Sequence, residues 1–259
     1  AVSVMLIRAG VSPIATLPIA FLAGALAGMV TGLLNTALGI PGILASILTQ
    51  ISLYSINLNI MGKANQPVSV DNYPLVVSLR YVTDGSVSRL LFFLGMIVFL
   101  LALIAVMYWY FGTEQGHAIR ATGCNGNMAR AQGINTNFIK VLALMISNGL
   151  VGLCGALYGQ FQGAADVNMG RGAIVIGLAA VIIGEVLFGK FASKRKLAFA
   201  FTLASVILGA VIYYMVYQFV LWLKMPSEDM KLFSAIVVAI FLAIPYLKEK
   251  RTLRKGASK

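Results

Sequence analysis

The chain has 259 residues, of which 59% are hydrophobic and only 11% charged, whereas soluble globular domains carry about 25% charged residues. With a mean hydropathy of +0.89, this excludes a string of soluble domains and predicts an all-α, polytopic integral membrane protein in contact with lipid. The formal net charge of +12 would suggest nucleic acid in a soluble protein, but basic residues in a membrane chain collect in cytoplasmic loops, so the charge reports topology and no nucleic-acid partner is expected.

Ala1 to Ile7 (AVSVMLI) reads as the end of an apolar helix with neither an initiator Met nor a signal peptide, which predicts that the natural N-terminus and at least one more helix precede it. Pro13 to Leu34 is a spanning segment, because a helix crossing a hydrocarbon core of about 30 Å needs on the order of 20 apolar residues. Gly24, Gly28 and Gly32 recur every fourth residue and predict one face on which another helix can approach closely. Asn35 to Gly42 is a break punctuated by Pro41 and Gly42. Ile43 to Met61 is a second span carrying Gln50, Asn57 and Asn59, amides expected to face protein or a water-filled path.

Gly62 to Arg89 is polar and irregular. Leu90 to Phe111 is a third span, ending in an interfacial aromatic belt of Tyr108, Trp109 and Tyr110. Val141 to Gln160 spans again, with Gly149, Gly152, Gly155 and Gly159 on its packing surfaces, and Phe161 to Gly172 follows as a polar segment. Ala173 to Phe188 is a shorter apolar element that is tilted, broken or only partly spanning. Leu197 to Leu223 and Leu232 to Leu247 form a final pair around Lys224 to Lys231, and Lys248 to Lys259 is a basic tail. The expectation is about seven to eight spans in one membrane domain covering residues 1–259.

Between the third and fourth of these spans lies a long polar interruption, Thr113 to Lys140. Placing it in the cytoplasm also places Lys190 to Lys196 and the tail there, gathering 13 of the 20 basic residues on that side. The seven on the other side are diluted by Asp71, Asp84, Asp166, Glu228 and Asp229. Glu114 to Ala121 reads as a short helix stopped by Gly123, and Asn125 or Asn127 can cap a second one, Met128 to Gln132, that Gly133 ends. These make a compact knob carrying Arg120 and Arg130. The plainer reading is an amphipathic interfacial loop with no partner.

Catalytic constellations are missing: there is no HExxH, no GxSxG and no pair of intramembrane carboxylates. Gly184 to Lys190 (GEVLFGK) matches the first seven positions of a phosphate-binding loop, but Phe191 stands where Ser or Thr would hold magnesium and the stretch ends an apolar run. This chain is therefore expected to bind no nucleotide and to catalyse nothing, and any ATP and magnesium would belong to another chain. Glu185 is the one acid inside an apolar run, either a functional group in the membrane or a hydrated one near the interface. His117 is the only histidine, and Cys124 and Cys154 lie in segments of different character, so neither a metal site nor a disulfide is expected. Asn59 to Lys63 (NIMGK) and Val186 to Lys190 (VLFGK) echo each other, as inverted repeats in transporters do, although the match is short.

Ala118 to Asn135 (AIRATGCNGNMARAQGIN) resembles the cytoplasmic loop of ATP-binding-cassette (ABC) importer permeases of the branched-chain amino acid and ribose class. The pattern is an Arg-Ala pair, then Gly, Asn, Ala-Arg and Gly-Ile. Ser147 to Gly189 and Leu53 to Gly62 resemble the branch of that class grouped with tryptophan or tyrosine uptake. The resemblance implies a permease of the bacterial inner (plasma) membrane that pairs with a second permease copy, a cytoplasmic ABC ATPase and an extracytoplasmic substrate-binding protein. It implies that Asn127 to Gly133, including Asn127, Met128, Ala129, Arg130, Gln132 and Gly133, form a coupling helix that docks in a groove on the ATPase, with Arg120 and Arg130 as its contacts. Where members often carry an acidic residue and a Pro, this chain has Cys124 and Gly126. The translocation pathway is expected to run along Gln50, Asn57, Asn148 and Gln160. From a different class, a self-sufficient ion-coupled carrier or channel using Glu185 is the alternative.

Overall fold

The computed structural model describes residues 1–68, 73, 75–77, 89–170, 173–192, 198–222 and 239. Nine helices and two short strands appear among them. These are α1 (Val2–Arg8), α2 (Pro13–Thr36), α3 (Gly42–Met61), β1 (Asn65–Pro67), α4 (Arg89–Phe111), α5 (Glu114–Cys124), α6 (Gly126–Ala131), α7 (Thr136–Gln162), β2 (Ala164–Asp166), α8 (Ala173–Ala192) and α9 (Ala198–Trp222). Among the described residues five segments are long and apolar enough to cross a membrane: Pro13–Thr36, Gly42–Met61, Leu90–Phe111, Thr136–Gln162 and Phe199–Phe219. The expected span Leu232 to Leu247 and the basic tail Lys248 to Lys259 lie outside the described residues, apart from Ala239 in the former. The apolar part of α8 is the shorter Ile176–Phe188.

The chain falls into two compact units, one of Ala1–Leu101 with Trp109–Gly170 and one of Ala102–Tyr108 with Arg171–Lys259. In the first, α2 and α7 run antiparallel in close contact, and the glycine row explains why. A Cβ at Gly24 would lie 2.3 Å from the Asn148 carbonyl oxygen, one at Gly28 would lie 2.3 Å from that of Leu144, and one at Gly32 would lie 2.9 Å from the Val141 Cα. From α7, a Cβ at Gly152 would lie 2.5 Å from the Ala20 carbonyl oxygen. Lipid tails are as apolar as leucine, so helices in a bilayer associate through such close packing. Gly155, by contrast, is exposed with nothing within 4 Å, so that expected packing position faces outward. On the other flank of α2, Thr31 donates to the Thr49 hydroxyl of α3 at 2.9 Å, and both hydroxyls also bond to their own helices.

The two ends of the α2–α7 pair differ. At the end where α2 begins, α1, β1 and β2 form a small cap. The strands pair antiparallel with Asn65 opposite Asp166 and Pro67 opposite Ala164. Beneath them Val4, Ile7, Met61, Val68, Leu75 and Ala165 form one buried cluster. Arg8 donates to Gln66, which in turn donates to the Met61 carbonyl at the end of α3. Three-residue strands carry no readable periodicity, so the segments flanking them read as merely irregular in the sequence. At the opposite end lie α5 and α6.

In the second unit α8 and α9 make an equally tight antiparallel pair. A Cβ at Gly184 would lie 2.2 Å from the Ser205 carbonyl oxygen, and one at Gly209 would lie 2.1 Å from that of Ala180. Ala179, Ile183 and Tyr213 form its buried apolar cluster. The helix α8 runs unbroken through Gly184 to Lys190, so this stretch is not the strand-to-helix turn that a phosphate loop requires. Nor does the short echo hold structurally: Gly62 ends α3 in the left-handed region at φ +68, whereas α8 continues past Gly189 to Ala192.

Candidate functional site

The polar interruption is more helical than its composition suggests. Thr113 caps α5, its hydroxyl accepting from the Gly116 N–H at 3.4 Å and donating to the Tyr110 carbonyl at 2.6 Å. A Cβ at Gly116 would lie 2.4 Å from the Phe111 Cα, so α5 folds directly against the end of α4. The helix does not stop at Gly123 as expected but runs to Cys124. Gly123 has no left-handed backbone to end it, and the break comes where Asn125 turns extended, with φ −155.

Asn125 is the organising residue. Its side-chain oxygen accepts from the N–H groups of Asn127 and Met128, both at 3.1 Å, satisfying two of the donors that a helix start leaves unpaired. Between the two candidate caps, Asn125 is the one used, and the second helix therefore begins at Gly126 and ends at Ala131. Gly126 occupies the first helical position, where proline is also well tolerated, which accounts physically for the exchange of residues noted there. Gly133, at φ +83, turns the chain out of α6. Asn135 then caps α7 by accepting from the Phe138 N–H at 3.2 Å. The span therefore starts at Thr136 and not at Val141, and the polar interruption is shorter than expected.

The knob presents its side chains unequally. Met128 is 63% exposed at its tip while Ala129 behind it is 3% exposed, so α6 is anchored on one face and open on the other. Asn127, Gln132, Gly133 and Arg120 are exposed. Arg130 is committed within the chain: its Nε and Nη2 donate to the Thr136 hydroxyl at 3.3 and 3.0 Å, tying α6 to the first turn of α7.

The four amides expected along a pathway separate into two kinds. Gln160 is fully buried. Its Nε2 donates to the Pro13 carbonyl at 3.3 Å and to the Thr16 hydroxyl at 3.5 Å, and its Oε1 accepts from the Val76 N–H at 3.1 Å. Thr16 in turn shares a 2.9 Å hydrogen bond with Ser3. The side chain thus joins α7, the start of α2 and the cap. Asn148 is half-buried and folds back to donate to the Leu144 carbonyl at 2.9 Å. Gln50 is exposed and Asn57 half-buried, and among the described residues neither side chain has a hydrogen-bond partner. Glu185 is exposed on α8. Among the described residues no group of His, Cys, Asp and Glu could hold a metal ion, and Cys124 and Cys154 are free and exposed.

The Gln160 joint makes a stability prediction. Gln160→Leu leaves the part-buried Val76 N–H without its acceptor, a penalty of about 1–3 kcal/mol. Thermal unfolding of the detergent-solubilised protein should fall by several degrees, and an unchanged transition would show that the joint contributes nothing.

Residues 1–245 match the family model described as the permease component of a branched-chain amino acid transport system. The chain belongs to this family. It is a permease subunit of an ABC importer for a small solute, and the family implies an ATPase and a substrate-binding protein as partners. The permease is 39% identical over 234 residues to a tyrosine transport system permease protein of Clostridioides difficile, covering 90% of this chain and 74% of that one. It is 30% identical over 228 residues to the uncharacterized protein RP368 of Rickettsia prowazekii, covering 86% of this chain and 76% of that one. An autoinducer 2 import system permease protein of Yersinia pseudotuberculosis is 28% identical over 226 residues, 86% of this chain and 59% of the relative. No solved structure matches the permease.

Proposed function

We propose that this permease works as one of two copies in the inner membrane of a bacterium and imports an amino acid, an aromatic one, by receiving mechanical work through Thr113 to Lys140. The solute class rests on the named tyrosine permease among its relatives. The observation that carries the coupling role is Met128, a large apolar side chain held out 63% exposed on a short helix whose start is fixed by Asn125.

An apolar side chain displayed this way fits a groove on a soluble partner. Asn127, Met128 and Gln132 are the contacting residues in this reading, and Arg120 flanks them. Ala129 and Gly133 set the shape of the helix, and Arg130 acts from behind by clamping α6 to α7 through Thr136. ATP-driven closure of the ATPase pair then pushes on α6, the Arg130–Thr136 clamp carries the displacement into α7, and the solute path changes its open side. The chain itself binds no ATP, and solute reaches it from an extracytoplasmic binding protein.

The test is co-purification of a cytoplasmic ATPase carrying a phosphate-binding loop. Losing the burial of a methionine costs about 1.5–3 kcal/mol, so Met128→Asp should weaken that association on the order of ten- to a hundredfold while leaving the permease folded. Undiminished association of Met128→Asp would move the docking site elsewhere. Solute uptake by the purified permease alone in liposomes, driven by an ion gradient, would overturn the coupled reading altogether.

A further inference from the structure

The helix α3 carries a row of four polar side chains on one face, three of which nothing in the described chain satisfies. Ser46, Gln50, Tyr54 and Asn57 stand at successive spacings of four, four and three residues, which at 3.6 residues per turn places them within an arc of about 80° and along about 16 Å of helix. Ser46, Gln50 and Tyr54 are exposed, and Asn57 is half-buried. The Ser46 hydroxyl bonds to the Gly42 carbonyl of its own helix at 2.8 Å, but the side chains of Gln50, Tyr54 and Asn57 have no hydrogen-bond partner among the described residues. The neighbouring arc is purely apolar, with Leu44, Ile47, Ile51 and Leu58 all exposed.

These two arcs face different surroundings. The apolar arc suits lipid. A mid-span amide cannot face hydrocarbon without loss of several kcal/mol, and Gln50 is the ninth residue of a twenty-residue helix. Asn59, on the side opposite Gln50, lies two residues from the end of α3, where water is at hand.

Either water or another protein chain must satisfy the stripe, and side-chain size distinguishes them. The two tightest helix pairs among the described residues, α2–α7 and α8–α9, meet through glycines that bring backbones together, as membrane helices generally do. The α3 stripe has no glycine. Its bulky Gln, Tyr and Asn side chains keep a neighbouring backbone away and line an open space with donors and acceptors.

Resting on the importer reading above, we infer that Ser46, Gln50, Tyr54 and Asn57 form the wall of the water-filled translocation path contributed by α3, with Tyr54 as a residue that contacts the solute. The stripe carries no formal charge. It therefore suits a net-neutral, zwitterionic solute, whose charged ends the amides can accompany without trapping, while the Tyr54 ring offers an apolar surface for a flat side chain.

The experiment is cysteine accessibility in membranes containing the assembled importer, with Cys124→Ser and Cys154→Ser as the background. Single variants Ser46→Cys, Gln50→Cys, Tyr54→Cys and Asn57→Cys should react with a small water-soluble methanethiosulfonate cation at least tenfold faster than Ile47→Cys, Ile51→Cys and Leu58→Cys. Rates are read on the protein present in the membrane, so poor accumulation of one variant does not distort the comparison. Gln50→Glu, which adds a fixed charge to the wall, should lower ATP-driven uptake of L-tyrosine at least tenfold, while Ile51→Ser on the apolar arc should not. Equal reactivity of the two arcs would overturn the inference. So would a chain-to-chain disulfide formed by Gln50→Cys on oxidation, because it would make the stripe a seam with the second permease copy. Uptake by the parent complex with an unreactive stripe removes the stripe alone, whereas absence of any ATP-driven uptake by the parent removes the reading on which it rests.

Discussion

Gly28→Leu should nearly abolish accumulation of the folded permease in the membrane, whereas Gly155→Leu in the partner helix should be tolerated. Intrinsic helix propensity favours both changes equally, by about 1 kcal/mol, so any difference in sign comes from packing. At Gly28 even the first added carbon would sit 2.3 Å from the Leu144 carbonyl oxygen. That atom belongs to the backbone of a 27-residue helix and cannot turn aside as a flexible side chain would. Overpacking in ordinary cores costs about 1–3 kcal/mol. Here the whole α2–α7 contact must open, and with it the alignment that brings Gln160 to Pro13 and Thr16. At Gly155 there is nothing within 4 Å. Size-exclusion profiles and melting temperatures of the solubilised variants give the comparison. Equal behaviour of the two would mean that close approach of α2 and α7 is not what holds the first unit together.

The second large effect concerns Asn125. Asn125→Ala removes the acceptor for two backbone N–H groups at the start of α6, a loss of about 0.5–2 kcal/mol. In a long helix that would matter little. The helix α6 has six residues, far below the length at which a helix holds by itself, so the loss is comparable with everything that keeps it folded. ATP-driven uptake should drop at least tenfold, while the melting temperature of the spans stays within about 2 °C of the parent, because Asn125 is exposed and far from the helix contacts. Asn125→Asp and Asn125→Ser retain a capping oxygen and should recover most of the activity. Full activity in Asn125→Ala, or equal failure of Asp and Ser, would show that the cap is not what the coupling needs.

How much of this was legible beforehand follows from the range of each interaction. The glycine row at positions 24, 28 and 32 was legible as a packing face because its period is local. The knob was legible as two short helices, since caps and stops act within three or four residues. Its details were not: Gly123 looked like a stop, yet glycine ends a helix only when the backbone turns left-handed, and here the side chain of Asn125 sets the boundary. The paired strands of the cap were not legible either, because β1 and β2 lie about a hundred residues apart and each is too short to show alternation.

For the polar residues of the spans the division is sharper. Residue type alone determined that Gln50, Asn57, Asn148 and Gln160 each needed a partner or water, since an amide in hydrocarbon is costly wherever it stands. It also determined the spans themselves, because partitioning into a bilayer depends on runs of about 20 neighbouring residues. Only the tertiary structure decided which amides were already satisfied. The partners of Gln160, Pro13 and Thr16, lie 147 and 144 positions away, and Arg130 is engaged only because Gly133 and Asn135 turn the chain back to bring Thr136 beneath it. Hydrogen bonds between distant segments depend on how helices pack, and the glycines that set that packing say how close two helices come, not which polar groups then meet.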